Sequence, residues 1–302
     1  MGTSVPHVEF SGVTVVVVGA GIAGLACARE LVGAGVPTRV LERANVVGGR
    51  LASERRGDRP VDVGAAYVTA DDPSFQGRLQ SWRIAGLAHP WTDTFRGQRG
   101  EAPMRWSAPG GLRSLAKDLA DGLDVTLGAE VTELPEADAV VLAMPGPEAL
   151  RIADLPEARE QSWSPVLTAV LTYPRRAWPD FHGAFVNDHP VLATVCDDGD
   201  RRGDLAPVLV AHSTPHYYRE HPYGGEAALA RAVGDLLGIA DEPTAELFRW
   251  PYAQPRTGRD GYARHKNVYL CGDAFGRPRV QTAWLSGRAA ARAVIEELSG
   301  RP

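Results

Sequence analysis

Residues 13–35 read "VTVVVVGAGIAGLACARELVGAG". The run Val13–Val18 is apolar at every position but Thr14, without the alternation of a half-exposed strand, so it predicts a strand buried on both faces of a parallel sheet. "GAGIAG" follows, and Gly19, Gly21 and Gly24 make G-x-G-x-x-G. The first glycine permits the tight turn. The second lets a pyrophosphate approach the backbone, and the third lets helix and strand pack closely. A small-residue helix then runs to about Val32, with Ala28, Leu31 and Gly35 in the small and apolar slots. "PTRVLE" is a second strand ending at Glu42. The unit is βαβ, with the helix N-terminus facing phosphates. An acid at the end of the second strand can bind a ribose 2′-hydroxyl. A glutamate there, rather than a basic residue, favours a free hydroxyl over a 2′-phosphate.

NAD and FAD can both use such a unit. Past Glu42 the chain reads "RANVVGGRLASERR", a loop with a glycine pair leading into a hairpin. Gly48 and Gly49 allow close backbone approach, and Arg50 can give charge-assisted hydrogen bonds to phosphate. An NAD site does not need this element.

Farther out, residues 61–70 suggest a short strand. Residues 74–88 suggest a helix with Phe75, Leu79, Trp82 and Leu87 on one face. A polar loop spans 92–102. Residues 110–123 form an amphipathic helix, with Leu112, Leu115, Leu119 and Leu123 at helical spacing. "DVTLGAEVTEL" reads as strand or hairpin, and "ADAVVLAMP" as a buried strand stopped by Pro145. From 151 to 259 alternating strands such as "PVLTAVLTY" suit an antiparallel sheet, with a helix at 226–238 embedded in it. Buried-strand character returns at 268–273. It ends on Gly272 and Asp273, and a helix starts at Val280 without a good capping side chain. An uncapped helix beside a lone acid suggests a bound group.

Composition narrows the class. The net charge of −5 and pI near 5.9 lack the basic footprint of a nucleic-acid partner. No apolar stretch is long enough to span a bilayer, and residues 1–12 lack the apolar core of a signal peptide. Cys27, Cys196 and Cys271 show no metal spacing and favour a reducing cytoplasm. His212, His216 and His221 are broken up by Pro215 and Pro222, so no metal is expected. Ser114 and Lys117 match S-x-x-K by chance on an amphipathic helix. Cys271 reads as a small buried hydrophobe.

"GAGIAG", Glu42 and "RANVVGGR" together resemble the FAD-dependent amine oxidase superfamily. More narrowly the chain is similar to its renalase-like branch, through "VDVGAAYVTADDPSFQ" (61–76), "APGGLRSLAKDLA" (108–120), "VVLAMPGPEAL" (140–150), "FRWPYAQP" (248–255) and "LCGDAFGRPRVQTAWLSG" (270–287). Ala66 stands where that branch usually has Gln, and Asp71 where a basic residue is common. The resemblance implies an α/β fold: a glutathione-reductase-like, Rossmann-type FAD-binding domain (1–70, 105–150 and 260–302) plus an antiparallel-sheet α+β substrate domain (71–104 and 151–259).

It also implies a site. FAD would meet Gly19, Gly21, Ile22, Ala23, Gly24, Glu42, Arg43, Gly49, Arg50 and Leu51. Farther along it would meet Gly64, Ala65, Ala66, Val131, Ala143, Gly272 and Asp273, with Val131 beside the adenine and Asp273 accepting from the ribityl chain. Val280, Gln281, Thr282 and Ala283 would open a helix aimed at the flavin N1–C2 edge, where its partial positive charge stabilises a reduced, anionic ring. Many superfamily members place a lysine near flavin N5. Lys117 and Lys266 are the only lysines, and neither is placed for that. Substrate-side candidates are the aromatics Tyr67, Trp106, Trp250, Tyr252 and Trp284, which could stack a flat compound on the flavin. The implied activity is that of an oxidase acting on a dihydropyridine-like or cyclic amine small molecule with O2. An amine-tailoring enzyme and a flavin protein without turnover are the alternatives.

Overall fold

The computed structural model describes residues 10, 12–256, 258 and 261–300. Most of the leader reading at 1–12 and the boundary at 259/260 therefore lie outside the described residues.

The opening unit forms as the sequence predicts. β1 (Val15–Val18) is buried throughout, α1 (Ile22–Gly33) follows, and β2 (Thr38–Glu42) pairs parallel to β1 with Val15 opposite Thr38. A hairpin comes next, β3 (Ser53–Arg56) and β4 (Arg59–Asp62). The strand predicted at 61–70 is thus displaced. β4 stops at Asp62, and beyond it only a single bridge, Val68 to Trp106, interrupts an irregular segment. α2 (Pro73–Ile84) starts on Asp72, whose carboxylate accepts from the Ser74 and Phe75 N–H groups, with proline at its first position. The helix expected to reach residue 88 ends at Ile84, which leaves Leu87 beyond it. The hairpin of β5 (His89–Thr92) and β6 (Arg105–Ser107) precedes α3 (Arg113–Ala120).

β7 (Asp124–Leu127) makes no hairpin. It joins the parallel sheet beside β2, and the Gly128 and Ala129 N–H groups continue that pairing onto Ala44 and Glu42 carbonyls. A free sheet edge captured the strand that a hairpin reading would have folded back. β8 (Ala139–Leu142) leads to the single-turn helices α4 (Gly146–Ala149) and α5 (Pro156–Arg159). The antiparallel region follows: β9 (Trp163–Thr172), β10 (Gly183–Phe185), β11 (Leu192–Asp197), α6 (Asp198–Arg202), β12 (Val208–Ser213), α7 (Pro215–Glu220), α8 (Glu226–Leu237) and β13 (Thr244–Pro255). β14 (Ala263–His265), β15 (Val268–Leu270) and α9 (Val280–Ser299) complete the order.

One sheet runs β14-β15-β8-β1-β2-β7, parallel except at β14. The other runs β10-β11-β12-β9-β13 and is antiparallel. This is a mixed α/β architecture with a Rossmann-like nucleotide sheet and a separate antiparallel sheet. α1 and α9 cover one face of the parallel sheet, and Phe75, Leu79 and Trp82 of α2 join the same core cluster. The antiparallel sheet packs Leu167, Ala169, Leu209 and Ala211 under α8. Its opposite face packs Val170, Val208 and Val210 on Val61 and Val63.

A buried ion network joins the two halves. Arg201 of α6 is fully buried; it pairs with Asp198 and Asp62 and donates to the Ala66 carbonyl. Arg202 pairs with Asp62 at 2.8 Å and donates to the Ala108 carbonyl at 3.0 Å. Asp62 also accepts from the Leu112 N–H at 2.7 Å, at the start of α3. Burial alone would push the Asp198 carboxyl up, but the charges of Arg201, Arg202 and Arg59 outweigh it and hold the group down at about 2.

Removing one member of a buried pair costs about 3–5 kcal/mol. Arg201→Met should lower the unfolding free energy in urea by about that much, and a loss under about 1 kcal/mol contradicts the network's role. The folded-state pKa of Asp198 lies below its unfolded value of about 4. Its contribution is therefore full above about pH 4 and is lost as pH falls through about 2. Arg201→Met should flatten that acid-side slope.

Candidate dinucleotide site

The glycines of the first loop serve different purposes. Gly19 has φ +104°, and a Cβ there would meet the Ala143 carbonyl oxygen at 2.7 Å. A Cβ at Gly24 would sit 2.0 Å from the Gly19 carbonyl oxygen. Those two positions are closed by backbone packing. Gly21 is different: nothing lies within 4 Å of its Cβ position. It is the N-cap of α1, no side chain caps that helix, and the first-turn groups of Ile22, Ala23 and Gly24 follow it. This is a cradle that a side chain would fill, and it suits a phosphate pair.

A second glycine loop lies over the first. Gly48 bridges Gly21, and its N–H donates to the Ala20 carbonyl at 2.9 Å. Gly49 has φ +52°, and its Cβ position is 3.5 Å from the Gly21 Cα. Leu51 is buried beneath this loop.

Glu42 is 8% exposed. Its Oε2 accepts from the Ala20 N–H at 2.7 Å and its Oε1 from the Ala44 N–H at 2.9 Å. These bonds fix the carboxylate, and each oxygen keeps a lone pair for a hydroxyl donor. Arg43 points outward and pairs with Glu148 at 2.7 Å. Val131 packs against the cluster that holds Leu142 and Leu270.

The two ends of the chain meet at Arg50. Its guanidinium grips Asp273 through both oxygens, at 2.7 and 2.9 Å, and also donates to the Ala253 carbonyl at 3.1 Å. The Trp163 ring lies beneath it, 5.1 Å away. Gly64 backs onto the same strand of chain, because a Cβ there would reach the Arg50 carbonyl oxygen at 2.1 Å and Ala65 donates to that oxygen at 2.8 Å. Gly272, with φ +151°, again has nothing within 4 Å of its Cβ position. Open space beside Asp273 therefore mirrors the open space at Gly21.

α9 starts on Arg279 with no side-chain cap. The start is instead strapped to the loop before α2. Arg279 pairs with Asp71 at 2.7 Å, and the Gln281 side-chain Oε1 accepts the Asp71 and Asp72 N–H groups at 2.7 and 3.0 Å. Hydrogen bonds from Arg279 and Gln281 hold the Asp71 carboxyl below its usual range. The Thr282 hydroxyl donates to the Arg277 carbonyl at 2.5 Å, and Ala283 donates to the Arg279 carbonyl at 3.2 Å.

The aromatic candidates separate. Trp284 is 5% exposed in the core, 5.3 Å from the Phe75 ring and capped by Arg288. Trp250 donates from Nε1 to the Val63 carbonyl at 2.9 Å. Tyr252 meets Trp163, the ring under Arg50. Tyr67 stands edge-on to Phe95. Trp106 lines a groove of about 450 Å³ with Ala70, Pro73, Leu79 and Met104.

His212 meets the Thr194 hydroxyl, His216 pairs with Glu220, and His221 lies against Tyr217. Burial pushes the Cys271 thiol up to about 12, which leaves it inert. Sequence reasoning missed the Arg50–Asp273 grip, Trp163, and Arg201 on Ala66. None carries a local pattern that could have revealed it.

A model of NAD(P)-binding Rossmann-like domains matches residues 17–81, and one of flavin containing amine oxidoreductases matches residues 81–295. The chain is 48% identical over 58 residues to phytoene dehydrogenase from Streptomyces griseus, a stretch covering 19% of this chain and 11% of that protein's length. It thus spans about a tenth of that curated relative. Its fold is similar to that of a putative protoporphyrinogen oxidase from Exiguobacterium sp. 255-15, with TM-score 0.79 at 14% identity over 96% of this chain and 100% of the other. It is also similar to a putrescine oxidase bound to putrescine, with TM-score 0.72 at 16% identity over 94% and 99%.

Gly21→Ala should fold with a loss under about 1 kcal/mol yet bind dinucleotide at least ~10-fold more weakly. Gly24→Ala forces Cβ into backbone and should lose about 3 kcal/mol or more. Thermal melts and dinucleotide titration separate the two, and unchanged affinity in Gly21→Ala contradicts the assignment.

Proposed function

The chain belongs to the flavin containing amine oxidoreductase family, and from that premise we propose that it is an FAD-dependent oxidase for a flat, electron-rich small molecule, either dihydropyridine-like or a cyclic amine. FAD is the cofactor; when bound it supplies the hydride acceptor and the reactivity toward O2. The protein's part is to seat it, orient the substrate and exclude water. The observation that carries this reading is the grip of Arg50 on Asp273, which joins the glycine loops to the strand end before α9. A site for NAD alone has no need of that junction.

The residues divide the work by chemistry. Glu42 would accept from a ribose hydroxyl. The α1 start and Arg50 would meet the pyrophosphate with N–H donors and positive charge. Asp273 would accept from the ribityl chain. The uncapped start of α9, fixed by Gln281 and Arg279, would present N–H groups and partial positive charge to the ring's carbonyl edge. On this reading residues 1–70, 105–150 and 260–302 form the cofactor half, and 71–104 and 151–259 the substrate half.

Ala66, where the renalase-like branch usually carries Gln, also favours a second reading: a tailoring enzyme that oxidises or desaturates an amine-bearing intermediate of specialised metabolism. Location in a reducing cytoplasm is supported by three buried free cysteines. No helix among the described residues is long and apolar enough to cross a membrane.

Anaerobic mixing decides between the readings. Isomeric dihydronicotinamides should bleach the bound flavin near ~450 nm. Bleaching by a cyclic amine alone rules out the dihydropyridine-like substrate and leaves an amine, under the first reading or the tailoring one. No bleaching by any donor, despite tight FAD, selects a flavin protein without turnover, and wild-type protein that takes up no FAD contradicts all three. Asp273→Ala should weaken FAD by at least ~10-fold, as expected for a lost buried acceptor.

A further inference from the structure

The antiparallel sheet turns one face to α8 and the other to the nucleotide half, and alternation along β12 sorts its side chains between them. Leu209 and Ala211 lie under α8, and Val208 and Val210 lie on Val61 and Val63. His212 continues the second set. Its register partners are Thr194 of β11 and Thr168 of β9. A polar row thus interrupts an apolar face, at the end where Val63 leads into Gly64. β11 and β12 are interior strands of the sheet. Val210, Cys196 and Thr168 on this face are sealed, at 0%, 1% and 0% exposed. Thr194 and His212 nevertheless stay partly exposed. On the facing wall Gly64, Ala65, Ala66 and Tyr67 are also partly exposed, between the buried Val63 and Val68. Open space therefore separates the two walls. Phe185 of β10, opposite Thr194 and partly exposed, borders it.

The protons in this row have a fixed order. The Thr194 hydroxyl lies 2.9 Å from His212 Nδ1. Burial, reinforced by the charge of Arg201, pushes His212 down to about 4, although a hydrogen bond to the Gly64 backbone pulls the other way. The ring is therefore neutral near neutral pH and carries one N–H. A backbone group raises a histidine only by accepting its proton, so that N–H goes to the Gly64 carbonyl. Nδ1, facing Thr194, is left bare and accepts the hydroxyl proton. With its hydrogen committed to His212, the Thr194 oxygen can only accept.

We propose that Thr194 is a specificity residue whose hydroxyl oxygen accepts an N–H of a flat substrate, with His212 as the positioning residue that sets the direction of the hydroxyl proton. A primary carboxamide or a secondary amine meets that requirement. An ester or a tertiary nitrogen sets lone pair against lone pair and leaves a half-buried acceptor unpaired. Resting on the flavin-oxidase reading, the proposal adds a required hydrogen-bond donor to the substrate.

The test uses FAD-loaded protein, with FAD content measured first, so that failure to take up FAD counts against the flavin reading and not against Thr194. Benzamide, which carries N–H groups, and methyl benzoate, which carries none, are titrated by calorimetry and by the difference spectrum of the flavin. The ratio of benzamide to methyl benzoate affinity should fall at least ~5-fold in Thr194→Val, the size of one lost hydrogen bond. Thr194→Ser keeps the hydroxyl and should keep the ratio. His212→Leu frees the hydroxyl proton to turn toward the ligand, so the ratio should fall there with Thr194 intact. A merely structural threonine does not produce that effect. A ratio unchanged in Thr194→Val overturns the proposal, as does a ratio that falls equally in Thr194→Ser, or benzamide that does not bind the FAD-loaded wild type. If Thr194→Val does not fold, His212→Leu decides, and an unchanged ratio there overturns it.

Discussion

Backbone meets backbone at two glycines, and the rest of the molecule depends on it. At Gly24 the first helix is drawn against the Gly19 carbonyl, and at Gly287 the last helix is drawn against the Ala23 carbonyl; a Cβ at either would sit 2.0 Å from oxygen. Those contacts bring α1 and α9 together over one sheet, each starting without a side-chain cap. Two uncapped helix starts give the nucleotide half two sets of unfilled N–H donors. Arg50 and Asp273, one from each end of the chain, lock the ground between them.

Charge accounts for how the second half is held. Arg201 and Arg202 enter from α6 and meet Asp62, Asp198 and the Ala66 and Ala108 carbonyls, so the antiparallel sheet is fastened to the segment leading to Tyr67. Each of these arginines meets carboxylates, so the buried charges are paired.

The opening βαβ unit, the role of Glu42 as the end of β2, the amphipathic α3 and α8, and the bare start of α9 were legible because each depends on local spacing. The strand placed at 61–70 was not, since the pairing of β3 with β4 fixed where it stopped. Of the two readings of "DVTLGAEVTEL", strand or hairpin, the strand is the one that formed: the edge of β2 was available, and sequence periodicity does not say which edge a strand will join. Trp284 lies within a motif expected beside the flavin, yet its ring packs on Phe75, because an aromatic side chain fits a core as well as a platform. The partnership of Arg50 with Asp273 links positions so far apart in the chain that no pattern in either neighbourhood announces it.

The central claim is that Asp273 and the start of α9 are two parts of one flavin seat, joined to the glycine loops through Arg50. The most direct measurement is a crystal structure of the FAD-loaded protein. The account predicts the pyrophosphate at Gly21 and Arg50, a ribityl hydroxyl within hydrogen-bond reach of Asp273, and the ring's N1–C2 edge facing Val280 to Ala283. A flavin ring bound elsewhere, with Asp273 and the α9 start untouched by it, would contradict the account.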